Sequence, residues 1–430
     1  MFLHVDDNNV RALLLQGEFG LERENLRVTK DGSLVKTRHP MVDNMHITMD
    51  FAENQVEIKT PVFTSVEEVI ESLRSYTDQL KVVLAAREEK EYLWPFSTPP
   101  YIDSELDIPI AYFSNESDSR RRYREYLSER YGRYKMALCG IHVNYSFSKE
   151  LLLANYQASY ARRYDYETYK DLMYLSLAEH LVNYSWLLTA LTAASPLTDR
   201  SYVEPSLRGG FVFTGVSSLR CGENGYWNHF TPIFNYESLK AYIDSVGHYV
   251  DKGLIISPSE LYYPVRLKPS GSYDLDSLRA NGVNHIELRL FDLNPLSYDG
   301  MDIRDLEFVR LLITFLASSK EDKLSPKDQL QAVENMKNAA RYDLKNVKII
   351  MPQAEEEALT KAGQNVIGRM RNFYELCAQC KAKQWEKITA VLDYEEEKLI
   401  DPKKRYANIL RESLGEEYVK NGCKMMLKYQ

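Results

Sequence analysis

Hydrophobic and polar residues alternate along four separate segments of the chain, and such alternation predicts β-strands with one apolar and one polar face. In residues 20–28, Glu22 and Glu24 share one face and Leu21 lies on the other. The polar faces of the other three segments carry Glu53, Gln55 and Glu57, then His142, Asn144, Ser146 and Ser148, and finally His285, Glu287 and Arg289. A single acidic strand face is usually exposed to solvent. Four such faces in one chain predict either an open polar surface or the floor of a cavity.

Apolar residues at helical spacing predict amphipathic helices between and after these strands. The clearest helix follows Ser65, which with Glu68 has the spacing of a capping box. Further helices are expected over residues 166–193 and 302–318, from Ser325–Pro326 onward, and through the charged segment after Glu355. Beyond about residue 320 the chain is therefore expected to be almost wholly helical. Cys377 and Cys380 lie in this part at redox or zinc-pair spacing, but no second pair of ligands follows, which favours a structural role.

Strands and helices interleave up to residue 320, which predicts an α+β fold whose helices cover the apolar faces of a sheet. The length of 430 residues allows one large domain or two ordinary ones. We expect residues 1–320 to form the core. Residues 321–430 are expected to form a helical extension packed on that core, so that the two make one structural unit.

Composition and charge exclude several classes of function. Charged residues make up 27% of the chain and hydrophobic residues 44%, an ordinary globular mixture. The net charge of −8 and the lack of a dense Lys/Arg block argue against nucleic-acid binding. No stretch approaches about eighteen consecutive apolar residues, and the N-terminus lacks the pattern of a secretory signal, so no membrane partner is expected. Because the chain has only five cysteines, we expect a cytoplasmic protein.

The polar strand faces contain the ligand types that hard divalent cations prefer. Carboxylates crowded together repel one another unless a cation neutralises them, and Mg²⁺ binds oxygen ligands. Two or three such ions would suit the following side chains: Glu22, Glu24, Asp50, Glu57, His142 and Glu287. The mixed ligand set does not by itself decide between Mg²⁺, Mn²⁺ and Zn²⁺.

Arg289 follows Glu287 on the same predicted strand face and offers a guanidinium fork suited to phosphate. Metal ions and arginine together are typical of phosphoryl transfer, which depends on positioning and charge neutralisation. The chain has no G-x-x-x-x-G-K-[ST] motif and no G-x-G-x-x-G motif between a strand and a helix. The sequence therefore predicts nucleotide chemistry without the usual phosphate-binding loops.

Eight ordered blocks over residues 17–295 closely resemble bacterial glutamate–cysteine ligase of the γ-proteobacterial type, also found as the N-terminal part of bifunctional glutathione synthases. These blocks are GLERENLRV, DFAENQVEIKTP, LWPFSTPP, YREYLSERYG, GIHVNYSFS, SLRCGENGY, SELYYPVRLKP and IELRLFDLNP. The resemblance implies a glutamine synthetase-like fold of the carboxylate–amine ligases. In that fold a curved antiparallel sheet forms a funnel-shaped active site and helices pack outside.

The resemblance also implies the reaction and its ligands. It implies that ATP phosphorylates the γ-carboxylate of L-glutamate and that the amine of L-cysteine attacks the γ-glutamyl phosphate, with Mg²⁺ as the metal and Mn²⁺ as a possible substitute. The six acidic and imidazole residues above resemble the metal ligands of the family, and residues 1–320 resemble its catalytic core. Arg289 and Arg220 resemble catalytic cations, with Lys268 and Arg266 as weaker candidates for phosphate binding. The residues that resemble the pocket for the amine substrate are Phe51, Tyr123, Tyr226 and Tyr262.

Some departures from the family pattern leave alternatives open. Met136 lies where the family commonly has a polar residue near the amine-substrate pocket, so a different amino acid or amine could be the acceptor. The chain is shorter than the usual single-function enzyme, and no second ligase domain is expected. More distant alternatives are a metal-dependent hydrolase, which would form product without ATP, and a non-catalytic sensor. The sequence does not indicate an oligomeric state.

Overall fold

The computed structural model describes residues 2–41, 44–113, 118–204, 206–320, 323–377 and 382–429. The strands are β1 (Gly17–Val28), β2 (Ile47–Met49), β3 (Gln55–Lys59), β4 (Tyr92–Leu93), β5 (Ile141–Phe147), β6 (Val265–Lys268), β7 (His285–Phe291), β8 (Lys348–Ile349) and β9 (Glu357–Ala358). The helices before residue 320 are α1 (Asn8–Leu13), α2 (Val66–Ala85), α3 (Ser119–Tyr131), α4 (Arg133–Met136), α5 (Lys149–Asn155), α6 (Tyr166–Thr192), α7 (Leu239–Asp251), α8 (Leu275–Asn281) and α9 (Ile303–Ser318). Those after it are α10 (Pro326–Ala339), α11 (Leu359–Cys377), α12 (Ala382–Ile400), α13 (Tyr406–Leu414) and α14 (Tyr418–Lys428).

All four predicted polar-faced segments form strands of one antiparallel sheet. Within the described ranges, six strands follow the order β2–β3–β1–β5–β7–β6, and β4 pairs with β1 beside this path. The register places Glu24 opposite Glu57 and Glu22 opposite His142. Because side chains alternate between the two faces of a strand, this register gathers the polar residues of neighbouring strands on one face.

A β-bulge interrupts the pairing of β5 with β7 next to His142. Ile141 pairs with Phe291 and Val143 pairs with Leu288, so β7 has one extra residue across from His142. Bulges bend a strand and redirect its side chains. This one lies at Arg289, which is also held by a hydrogen bond from its N–H to the carbonyl of Pro264 (2.9 Å).

Helices cover the opposite, apolar face of the sheet, as the sequence predicted. The core on this side includes Leu21, Val143 and Leu288, all at most 1% exposed. The helix α2 contacts β1, and α6 contacts β6 and β7. One contiguous hydrophobic core extends from Leu3 to Met426. The helix-covered face of the sheet is therefore apolar, and the opposite face carries the polar side chains.

The predicted helices are confirmed, with two corrections. Ser65 caps α2 by accepting a hydrogen bond from the N–H of Glu68, but its hydroxyl donates to Glu67, so only half of the predicted capping box forms. Ser325 and Asp328 form a complete capping box at the start of α10. The expectation of almost wholly helical structure beyond residue 320 is wrong at one point, where β8 and β9 form a small antiparallel pair. In the part of the chain that the structure describes, no helix has the length and apolar character needed to cross a membrane.

Candidate active site

The polar face of the sheet forms the floor of a cavity of about 420 Å³. Its lining includes all fourteen side chains named in the sequence analysis as metal ligands, cations or substrate-pocket residues. The volume lies within the usual range of small-molecule sites. The alternative of an open polar surface is thereby excluded for these residues.

Glu22, His142 and Glu287 form the tightest group in the cavity. One potential ligand atom from each of them lies within 4.8 Å of the others, and they are the only such group found among the described residues. His142 Nδ1 lies 3.4 Å from Glu22 Oε2 and 3.4 Å from Glu287 Oε1. Burial raises the pKa of Glu22, but the hydrogen bond with His142, the charge of His142 and the charge of Lys268 together outweigh it and hold the pKa at about 2. Glu22 is thus ionised at neutral pH.

Glu24 lies on the other side of His142 and already has protein partners. Its Oε2 accepts a hydrogen bond from the N–H of Gly140 (3.0 Å) and lies 3.7 Å from Arg220 Nη1. Arg220 Nη2 is also 3.1 Å from His142 Nε2. His142 Nδ1 is the nitrogen that faces Glu22 and Glu287, whereas Nε2 faces Glu24 and Arg220.

Glu287 is surrounded by three cations and is only 1% exposed. Arg289 Nη1 donates to Glu287 Oε1 (3.0 Å), while Arg266 Nη1 and Lys268 Nζ lie 3.3 Å and 4.0 Å from Oε2. Burial alone raises the pKa of Glu287, but Arg289, Arg266 and Lys268 bring it well below its ordinary value. The register that places Arg266 opposite Glu287 on β6 explains this arrangement.

Asp50 and Glu57 line the side of the cavity formed by β2 and β3. Glu57 Oε2 accepts hydrogen bonds from Lys59 Nζ (2.7 Å) and from the hydroxyl of Thr48 (3.2 Å). Burial raises the pKa of Glu57 to about 7, although Lys59 acts to lower it. The backbone carbonyl of Asp50 accepts a hydrogen bond from Arg124 Nε (2.5 Å), which attaches α3 to this side of the cavity.

The four predicted substrate-pocket residues form an aromatic wall. The rings of Tyr226 and Tyr262 lie 4.2 Å apart, and Phe51 and Tyr123 line the same cavity. The hydroxyl of Tyr226 donates to Met136 Sδ (3.5 Å). Met136 is 2% exposed and does not line the cavity itself, so it contacts the aromatic wall from the side that faces away from the cavity.

Several lining residues escaped the sequence analysis, namely Lys59, Arg120, Arg124, Thr48, Phe113 and Ser259. Lys59 had a usable signal, because it continues the period of two from Gln55 and Glu57 on β3. Arg120 and Arg124 had none, because α3 is charged on several sides and shows no apolar stripe. In total, seven lysine and arginine side chains and five carboxylates line the cavity within the described ranges.

Glu53 lies outside the cavity and acts in the loops beside it. Its Oε1 accepts from the N–H of His39 and its Oε2 from the N–H of Tyr112, both at 2.7 Å. Glu53 is in the turn before β3 and therefore does not share a strand face with Gln55 and Glu57 as predicted. His285 is on the same sheet face but does not line the cavity either.

None of the cysteines that the structure describes lines this cavity. Cys139 and Cys221 are buried, and burial raises the pKa of both thiols, that of Cys221 to about 12. Cys377 is buried at the end of α11, whereas Cys380 lies outside the described residues. The structural role expected for that pair stays a prediction.

The residues present fit a divalent cation. Glu287 Oε2 is buried and has no hydrogen-bond partner among the described residues, although two cations lie near it. Two ionised carboxylates and an imidazole nitrogen within 4.8 Å are a ligand set that Mg²⁺ or Mn²⁺ can use. Glu24, Asp50 and Glu57 remain outside this group.

Comparison with known proteins relates this geometry to one family. The family model described as glutamate-cysteine ligase matches residues 3–255 and 250–339. A bifunctional glutathione biosynthesis protein of Listeria monocytogenes (serovar 1/2a) is 35% identical over 423 residues, which cover 96% of this chain and 54% of that protein. A glutamate–cysteine ligase of Clostridium acetobutylicum is 29% identical over 411 residues, 84% of this chain and 84% of its own length.

A solved structure shows the same fold. The crystal structure of a bifunctional glutathione synthetase from Pasteurella multocida matches with a TM-score of 0.84 and 26% identity, covering 100% of this chain and 54% of that one. This likeness and the open antiparallel sheet confirm the predicted fold class, an α+β carboxylate–amine ligase fold. The chain spans about half the length of the bifunctional relatives that it matches.

Proposed function

Because this chain belongs to the glutamate–cysteine ligase family, we propose that it joins the γ-carboxylate of L-glutamate to the amine of L-cysteine in an ATP-dependent reaction. The observation that supports the proposal is the charge arrangement of the cavity, which is lined by seven cations and five carboxylates and contains the group of Glu22, His142 and Glu287. A nucleotide triphosphate and glutamate are both anionic and need protein cations. The carboxylates would serve the divalent ions that accompany the nucleotide.

The proposed reaction has two steps. In the first, a γ-carboxylate oxygen of glutamate bonds to the γ-phosphorus of ATP while the bond from that phosphorus to the ADP oxygen breaks. In the second, the cysteine nitrogen bonds to the γ-carbon, phosphate leaves with its bonding electron pair, and the amine loses one proton. This route needs no covalent intermediate on the enzyme, which agrees with the buried thiols of Cys139 and Cys221.

The positions of the cations support the roles that we propose for them. Arg289 and Arg220 flank the group of Glu22, His142 and Glu287, so their guanidinium groups would balance charge on the transferring phosphoryl group and on the tetrahedral intermediate. Lys268 and Arg266, on the neighbouring strand, would bind phosphate oxygens. Mg²⁺ or Mn²⁺, held by Glu22, His142 and Glu287 with Glu24 and Asp50 as further ligands, would neutralise phosphate charge and orient the γ-phosphate.

The aromatic wall would bind the amine substrate. Phe51, Tyr123, Tyr226 and Tyr262 combine apolar ring faces with hydroxyl groups, which suits an amino acid whose carboxylate needs hydrogen-bond donors. The wall lies in the same cavity as the proposed phosphate cations. An activated γ-carboxyl group and an incoming amine would therefore share one enclosed space.

A direct assay tests the proposal. ADP formation is measured with ATP, Mg²⁺ and L-glutamate, with each amino acid added in turn, and the product is identified by mass spectrometry. We expect ADP and γ-glutamylcysteine in equal amounts when L-cysteine is present. Product formation without ATP would instead favour the hydrolase, and binding without turnover would favour the sensor.

A second candidate is a γ-glutamyl ligase with a different acceptor. It is supported by the contact between Met136 Sδ and the hydroxyl of Tyr226, which affects the wall proposed to bind the amine. The same amino-acid panel decides between the two acceptors. Clearly faster ADP formation with another amino acid than with cysteine would favour this second candidate.

A further inference from the structure

The ammonium group of Lys59 contacts the carboxylate of Glu57, which was predicted to bind metal. Its Nζ lies 2.7 Å from Glu57 Oε2, and the same oxygen accepts the hydroxyl of Thr48 at 3.2 Å. Glu57 is only 7% exposed, so its carboxylate needs a nearby positive charge. The protein itself supplies that charge.

The register of the sheet fixes the ammonium above a row of acids. Glu57 and Lys59 share a face of β3, and across the strand pair they lie opposite Glu24 and Glu22 of β1. The backbone of Lys59 is anchored as well, since its N–H donates to the carbonyl of His46 (2.8 Å). The position of this lysine therefore follows from strand pairing and not from a mobile loop.

The acids of the cavity fall into two sets. Glu22 and Glu287 belong with His142 to the group whose ligand atoms lie within 4.8 Å, whereas Glu57 does not. A divalent ion placed at Glu57 Oε2 would meet the ammonium of Lys59 within a few ångströms, and like charges at that distance repel strongly in a partly buried site. Glu57 Oε2 already accepts hydrogen bonds from both Lys59 and Thr48, whereas Glu287 Oε2 has no hydrogen-bond partner among the described residues and keeps its lone pairs for an ion.

We propose that Lys59 is a built-in cation that takes the place of a divalent ion at Glu57. The inference rests on the divalent-ion site of the proposed function and deepens it by stating which carboxylates hold metal. Divalent ions then bind at Glu22, His142 and Glu287, and the chain binds fewer of them than its set of acidic ligands would allow. Lys59 is a positioning residue in this account, because it acts through Glu57.

Metal counting tests this inference without reading the ligase reaction. Mn²⁺ bound per full-length chain is measured by equilibrium dialysis and electron paramagnetic resonance, with no nucleotide present. In Lys59→Met the ammonium is lost and the stem is kept, so the number of bound Mn²⁺ ions should rise by about one relative to wild type. Lys59→Arg keeps the positive charge and should bind as many ions as wild type.

Two further variants identify the new ion. The double variant Lys59→Met with Glu57→Gln should return to the wild-type count, because the carboxylate that would hold the extra ion is gone. Lys30→Met removes an exposed lysine on the connection after β1 and should leave the count unchanged. Thermal unfolding of each variant checks that the fold is intact.

The outcomes separate this inference from the proposed function. An unchanged count in Lys59→Met, or an equal gain in Lys59→Arg, would overturn the role of Lys59. A gain of one ion in Lys59→Met that Glu57→Gln abolishes would support it, whatever the ADP assay shows. Failure of the wild-type chain to form ADP would contradict the proposed function alone.

Discussion

The two carboxylate oxygens of Glu287 have different surroundings. It is buried, Arg289 donates to one of its oxygens, and the other oxygen has no hydrogen-bond partner among the described residues. We predict that Glu287→Gln, which keeps the side-chain volume, lowers the rate of ADP formation at saturating Mg²⁺ by at least about 100-fold. The reason is that the site would lose a proposed metal ligand and would leave three cations without their carboxylate.

The matched control is Glu18→Gln. Glu18 lies on the same strand and face as Glu22 but is exposed and outside the cavity. Its replacement should leave the rate of ADP formation within about twofold of wild type, as is usual for surface substitutions. A Glu287→Gln enzyme with nearly wild-type turnover would contradict the role proposed for this carboxylate.

His39 gives the protein a sensitivity to acid that is separate from the active site. Burial, followed by the charge of Arg27, lowers the pKa of His39 from 6.5 to about 4. The unfolded chain therefore binds a proton at this residue between pH 6.5 and pH 4 while the folded chain does not. The contribution of neutral His39 to the free energy of unfolding is therefore fully present above pH 6.5. It decreases as the pH falls from 6.5 toward 4.

The measurement is urea unfolding of wild type and His39→Asn at pH 7.5 and pH 5.0. Between these pH values the free energy of unfolding of wild type should fall by about 2 kcal/mol more than that of the variant, since each pKa unit corresponds to about 1.4 kcal/mol. An equal decrease in the free energy of unfolding of the two proteins would show that protonation of His39 does not cause the pH dependence.

At the residue scale, the sequence predicted the acidic residues of the cavity better than its lysine and arginine residues. The period of two in β1, β3 and β7 identified Glu22, Glu57 and Glu287, because strand alternation fixes which side chains share a face. The same period extends to Lys59, so that residue was predictable and was missed. Arg124 was not predictable, because a helix with charges on several sides does not show which of its arginines faces inward.

Among the elements, the backbone just before β5 controls the position of Arg220, which we propose to be catalytic. A Cβ atom on Gly140 would lie 2.6 Å from Cζ of Arg220, so the absent side chain makes room for the guanidinium beside Glu24. We predict that Gly140→Ala displaces Arg220 and lowers kcat by about tenfold, equivalent to about 1.4 kcal/mol of transition-state stabilisation. The flexible arginine can move, so the fold should survive.

Gly20→Ala on β1 is the control for this change. There a Cβ would lie 3.7 Å from Cβ of Asn144, an ordinary contact. Steady-state kinetics of the two variants should therefore differ, while their melting temperatures stay close. A Gly140→Ala enzyme with unchanged kcat would mean that Arg220 is not needed in its observed place.

The elements that were predicted are those with strong local signals. The start signal at Ser325–Pro326 and the apolar stripe of α2 were sufficient to place α10 and α2. The pair of β8 and β9 was missed, because strands of two residues are too short to show alternation. The bulge at Arg289 could not be predicted from the sequence either, since it depends on the pairing of β7 with β5, which is far away in the chain.

For the molecule as a whole, a buried ion cluster joins the C-terminal helices to the rest. Lys398 of α12 donates to Asp305 of α9 (2.6 Å) and to Glu395 (2.9 Å), and all three side chains are at most 2% exposed. We predict that Lys398→Met lowers the free energy of unfolding by about 3–5 kcal/mol, because Asp305 is left buried without its cation. Urea unfolding followed by circular dichroism measures the change.

The control is Lys404→Met, since Lys404 forms only an exposed ion pair with Glu397 (3.4 Å) and should change stability by less than about 0.5 kcal/mol. A small effect of Lys398→Met would indicate that the cluster does not hold α12 to α9. The division of the chain at residue 320 stays a prediction. The continuous core from Leu3 to Met426 supports the expectation of one structural unit.

The wide sequence separation of the central group has a consequence during protein synthesis. Glu22 and His142 are 120 residues apart, and Glu287 follows much later in the chain. At about 5–20 residues per second, a ribosome needs roughly 15–50 s to pass from the first of these glutamates to the last. A nascent polypeptide therefore cannot assemble the group before β7 has left the exit tunnel, and under the proposed function an unfinished chain should not consume nucleotide.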